Sequence, residues 1–84
     1  MTKRDFDTLR ILILRALLLG ELTINQTVQY TGINWKTVAN HLVYLQGMGY
    51  VQEVVKMRYV RIFQITEAGK QYLEEHNELE VLLP

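Results

Sequence analysis

The stretch Asn34-Trp35-Lys36-Thr37-Val38-Ala39-Asn40-His41-Leu42-Val43-Tyr44-Leu45 orders the rest of the chain. Val38, Leu42 and Leu45 recur at i, i+4 and i+7, which places them on one face of a helix and turns that face to a core. The opposite face then carries Lys36, Thr37, Asn40, Val43 and Tyr44, with Trp35 and His41 on the flanks. Asn34 is a good N-cap, and Gly47 and Gly49 bracket the far end, so the pattern predicts a helix from Trp35 to about Gly47. One reading of such a helix is a surface element whose polar side faces water. Val43 and Tyr44 are out of place on a purely solvated face.

Working outward, Thr23-x-x-Gln26 is a capping box that starts a helix from Ile24 to about Tyr30, ended by Thr31-Gly32. Two helices joined by a short turn with glycine form a helix-turn-helix. Before them, a first helix is expected from about Asp5 to Leu19, closed by Gly20, with Glu21 to Thr23 as an extended connector. Leu9, Ile13 and Ala16 lie on one face of that helix; Ile11, Leu14 and Leu18 lie on the other. A helix apolar on both faces is buried on both, and the second face needs cover from the C-terminal segment or another subunit.

After Gly49 the period changes from helical to about two. Tyr50–Val55 and Tyr59–Ile65 are rich in β-branched and aromatic residues and read as a hairpin with a basic tip, Lys56-Met57-Arg58. Thr66 caps a last helix, with Glu67 at its positive end, and that helix runs through Tyr72, Leu73, His76 and Leu79 into Val81-Leu82-Leu83-Pro84. The order is that of an α+β winged helix-turn-helix: a three-helix core, a two-stranded wing and a C-terminal helix, all in a single domain over residues 1–84.

A recognition helix of this kind enters a major groove and meets base edges through its N-terminal residues. Asn40 has the donor and acceptor for a two-point contact to adenine. Lys36 can reach a phosphate or guanine. Thr37 can donate to a phosphate or touch a thymine methyl. The helix N-terminus adds backbone N–H donors for phosphate.

The run from Asn34 to Val51 resembles the recognition helix and first wing strand of MarR-like and ArsR-like regulators. Its elements are a polar cap, Thr37-Val38, His41-Leu42, Leu45, and a glycine followed by Tyr50-Val51. Ile65-Thr66-Glu67-Ala68-Gly69 resembles the junction those proteins have after the wing. The size and the aliphatic, cysteine-free composition are similar to those of compact regulators of archaea and their viruses. The resemblance implies DNA contact by Lys36, Thr37 and Asn40, and backbone contact by Lys56, Met57 and Arg58. Asn34, Trp35, His41 and Tyr44 complete the expected contact set. Such helices often have arginine where Asn40 stands, and the short wing limits minor-groove insertion to Arg58.

The formal net charge of zero over 84 residues counts at first against a nucleic-acid partner. The distribution answers it. Lys36, Lys56, Arg58 and Arg61 face only Glu53 in the middle of the chain, while Glu67, Glu74, Glu75, Glu78 and Glu80 face only Lys70 at the end. The basic middle and acidic tail cancel in the sum without having to cancel in space.

Cysteine is absent, which excludes disulfides and thiolate zinc sites. His41 and His76 lack ligand partners at metal-binding spacing, and no cofactor is implied. No phosphate loop, nucleophile elbow or paired acid and base is present, so an enzyme is not expected. No signal peptide is seen, and the apolar run Ile11–Leu19 is interrupted by Arg15 and too short for a bilayer.

The function expected from sequence is a cytoplasmic, nucleoid-associated regulator that binds double-stranded DNA as a homodimer. Nearly half of the residues (49%) are hydrophobic, more than so small a monomer easily hides, which favours self-association. The expected dimer contact is Ile11, Leu14 and Leu18 with Leu79, Val81, Leu82 and Leu83. A protein–protein winged-helix module and a non-specific chromatin-like binder are the alternatives. Any small-molecule effector is unspecified by the sequence.

Overall fold

The computed structural model describes residues 5–76. The elements are α1 (Phe6–Leu17), β1 (Leu22–Thr23), α2 (Ile24–Thr31), α3 (Trp35–Gly47), β2 (Val51–Lys56), β3 (Arg61–Ile65) and α4 (Glu67–Glu75). Each helix begins on the cap its sequence supplies. Asp5, Thr23, Asn34 and Thr66 each accept a backbone N–H three residues on. The Thr23–Gln26 capping box closes in both directions. Gly32 ends α2 in the left-handed conformation at φ 74°, which a side chain would strain.

The segment read as a connector is a strand. Leu22 pairs with Phe63 and Thr23 with Ile62, so β1 joins β3 and the antiparallel sheet has the order β1-β3-β2. Two residues carry too little periodicity to announce a strand. The wing is the β2–β3 hairpin. Glu53 pairs with Phe63 and Val55 with Ile62, leaving Val54 as a bulge that bends the hairpin. Its tip is Met57–Val60, closed by the Met57 N–H to the Val60 carbonyl at 2.8 Å. Tyr59 and Val60, expected in the strand, therefore lie in the turn.

The core is continuous across all layers, from Ile11, Ile13, Leu14 and Leu17 through Val38, Leu42 and Leu45 to Phe63. This corrects the expected dimer contact at two positions. Ile11 is 1% exposed and Leu14 0%, so neither can meet a second subunit. Helix α1 lies at the centre of the fold, against α2, α3, α4 and β3, and the chain covers both of its apolar faces itself. Leu18 and Leu19, beyond the helix end, stay exposed. Leu79, Val81, Leu82 and Leu83 lie outside the described residues.

Helix α4 is seated by the Ile65–Gly69 junction. The Thr66 hydroxyl donates to the Gly49 carbonyl at 2.6 Å, its N–H donates to Tyr50 O at 3.0 Å, and its Oγ accepts from Gly69 N at 3.1 Å. Gly69 lies so close to the Tyr50 carbonyl that a Cβ there would overlap it, and would also stand 2.7 Å from Ile65 Cγ1. Beyond the junction, Tyr72 stacks on Tyr50 at 4.7 Å between ring centroids.

Candidate nucleic-acid interface

Val38, Leu42 and Leu45 are 0 to 1% exposed and fix the rotation of α3. With that face pinned, Lys36, Asn40 and Val43 project to solvent on the far side. At about 100° per residue these three fall within about 60° of one another. Asn34 Oδ1 accepts the Thr37 N–H at 2.9 Å, which caps the helix N-terminus beside this stripe. Thr37 is half-buried on the flank.

Two expected contact residues are placed differently. His41 is 6% exposed and turned inward. Its Nδ1 accepts the Arg10 Nε–H at 3.3 Å, and the Phe6 ring meets it edge-on at 5.2 Å. The helical offset from Leu42 and Leu45 carries His41 toward α1 rather than to the groove, and His41 is withdrawn as a DNA contact. Burial, with the Arg10 charge beside it, holds its imidazole below the ordinary 6.5. Tyr44 remains at the surface, but the Arg10 guanidinium lies 3.6 Å from its ring centroid. Arg10 was missed from sequence, since an arginine in a largely apolar helix gives no sign of the helix it will cross.

The wing presents Lys56, Met57 and Arg58, all exposed. Arg61 is not part of that surface charge. It forms a two-point pair with Glu53 on the neighbouring strand, Nε to Oε2 at 2.6 Å and a second nitrogen to Oε1 at 3.1 Å. The Arg61 hydrogen bond holds the Glu53 carboxyl below its ordinary range. The lone acid of the basic segment is thus consumed, and Lys36, Lys56 and Arg58 have no ion-pair partner among the described residues. Between wing and helices lies a cleft of about 350 Å³, lined by Trp35, Arg58 and Tyr59 among others. Trp35 is 52% and Tyr59 87% exposed.

Among the described residues no group of three acidic or histidine side chains could hold a metal ion. None of the helices there is long and apolar enough to cross a membrane.

A helix-turn-helix with an outward polar stripe, flanked by a two-stranded wing, defines a winged-helix protein. Residues 7–53 match the model of the bacterial regulatory protein, arsR family, and the chain belongs to that family. The match spans α1 through the start of β2, which includes the whole helix-turn-helix.

Three solved structures share the fold. The Bordetella bronchiseptica protein BpsR, whose DNA binding is regulated by 6-hydroxynicotinic acid, superposes with a TM-score of 0.78 at 20% identity. That match covers 87% of this chain and 53% of BpsR, so the chain spans about half of that protein's length. A transcriptional regulator from Clostridium thermocellum gives 0.74 at 19% identity over 95% of this chain and 90% of its own. A MarR family regulator from Neisseria meningitidis gives 0.66 at 23% identity over 92% and 55%. Curated protein sequences gave no match.

Proposed function

We propose that the protein regulates transcription by binding specific sequences in duplex DNA as a homodimer. The observation that carries this reading is the exposed Lys36–Asn40 stripe, diametrically opposite the buried Val38, Leu42 and Leu45. A helix held rigidly by its core face and bare on the other is what a major groove admits. Asn40 contacts a base, Lys36 and Thr37 contact phosphate or base at the helix N-terminus, and Trp35 and Asn34 flank them. The wing lays Lys56, Met57 and Arg58 on the backbone or into the minor groove.

The dimer uses the apolar residues left uncovered beyond α1, Leu18 and Leu19, together with the C-terminal Leu79, Val81, Leu82 and Leu83. A two-fold axis then sets the recognition helices ~34 Å apart on a near-palindromic site. The protein works in the cytoplasm, on the nucleoid.

Selection of bound sequences from a random duplex pool at moderate salt tests the reading. Enrichment of a symmetric motif supports it. Binding without sequence preference refutes specific regulation, and no salt-dependent binding at all refutes a DNA partner.

A further inference from the structure

On the outward stripe of α3 two residues run against local preference. Val43 is 65% exposed, yet it is β-branched, carries a cost in a helix and is left largely uncovered by its own chain. Gly47, one turn further on, is helical and exposed. It has none of the reasons that hold the other glycines: Gly49 needs its φ of 81° and Gly69 needs its missing Cβ, but a Cβ on Gly47 would meet nothing within 4 Å. Gly47 is the last residue of α3, and even at that end alanine would be a somewhat better helix former. Both residues continue the line of Lys36 and Asn40 at about 100° per residue. Residues that weaken their own helix without return from the fold mark a surface shaped for something outside it.

We propose that Val43 reads the methyl group of a thymine in the major groove, and that Gly47 lets the DNA come close enough for it to do so. This rests on the regulator reading above and names the bases of its site. The thymine C5-methyl is the one apolar group that a base edge offers in the major groove, and an aliphatic side chain is its complement. Asn40 presents the amide that pairs with adenine N6 and N7. Val43 lies three residues on, ~4.5 Å along the helix axis, which is near one base-pair step of ~3.4 Å. The stripe thus selects an adenine beside a thymine. Gly47 continues the stripe without a side chain, so the groove wall can approach the second half of α3 as closely as the first. Recognition then extends along the helix and is not confined to its N-terminal turn.

The test uses the tightest duplex recovered from the random pool, with each thymine exchanged in turn for uracil, which lacks only the methyl. Fluorescence anisotropy reads the affinity. The native protein loses roughly three- to five-fold on each single exchange at either thymine of one symmetry-related pair, the weight of one buried methylene. Val43→Ala binds the thymine and uracil duplexes equally. Gly47→Ala unfolds no earlier than the native chain but binds the duplex several-fold more weakly. Since both positions are exposed, thermal unfolding confirms that the variants fold.

A site bound with a normal salt slope in which no uracil exchange matters overturns the methyl reading and leaves the regulator reading standing. Uracil sensitivity that persists in Val43→Ala overturns the assignment to Val43. Native affinity in Gly47→Ala overturns the close approach. If no duplex is bound at all, the regulator reading fails and this one with it.

Discussion

Arg10 of α1 donates its Nε–H to Nδ1 of His41 on α3 at 3.3 Å, and the same guanidinium lies 3.6 Å from the Tyr44 ring centroid. One side chain of the central helix therefore grips α3 at two points a turn apart. The Asp7 carboxylate, 3.9 Å from Arg10, is itself 72% exposed and adds little, as solvated pairs do. The aim of the proposed reading face is set by this crossing as well as by the aliphatic core.

That grip is measurable. In a double-mutant cycle with Arg10→Met and Tyr44→Leu, denaturant unfolding is expected to return a coupling energy of about 0.5–2 kcal/mol. A coupling near zero would show that the stacked geometry contributes nothing to stability.

His41 should make the fold sensitive to acid. Its folded-state pKa lies below the ordinary 6.5, first because of burial and then because of Arg10. Below that ordinary value the unfolded chain takes up a proton that the folded chain resists. The contribution is fully present above about pH 6.5 and is lost as pH falls through the folded-state value. Unfolding midpoints between pH 7.5 and 5 should fall for the native protein, and His41→Phe should flatten that part of the profile.

Gly69→Ala should destabilise the protein by about 1–3 kcal/mol despite alanine's better helix propensity. The added methyl would meet the Tyr50 carbonyl, which is fixed by its bond from Thr66 N–H, so backbone must move. Thermal unfolding decides it, and an unchanged midpoint would mean that the α4 seat yields freely.

Lys36 and Arg58 should each account for about one unit in the slope of log affinity against log salt. Lys36→Ala and Arg58→Ala weaken binding across sequences. Asn40→Ala should instead cost ~1–3 kcal/mol at the selected site and little on unrelated duplex. Titrations at several salt concentrations separate the two behaviours.

Glu53→Gln should tighten binding to arbitrary duplex at low salt. It removes the one acid of the basic segment and releases Arg61, three residues from Arg58, from its two-point pair. Gel-shift titration against the native chain checks the direction. Weaker binding would mean that the pair shapes the wing more than it screens it.

Much of this protein is local, and what is local could be read from sequence. The caps at Thr23, Asn34 and Thr66, the stop at Gly32 and the span of α3 depend on residues within one turn of each other, so they follow from the sequence alone. The inward face of α3 does too, because Val38, Leu42 and Leu45 share one side of the helix.

What sequence could not settle is which surface covers which. Ile11 and Leu14 look like an unpartnered face until α1 is found at the centre with neighbours on every side. His41 looks like a flank residue of the reading helix until Arg10, thirty-one positions away, is seen to hold it. Leu22-Thr23 is too short to declare itself a strand until β3 lies beside it. These contacts join residues far apart in the chain, and no periodicity records them; only the packing of the whole decides them.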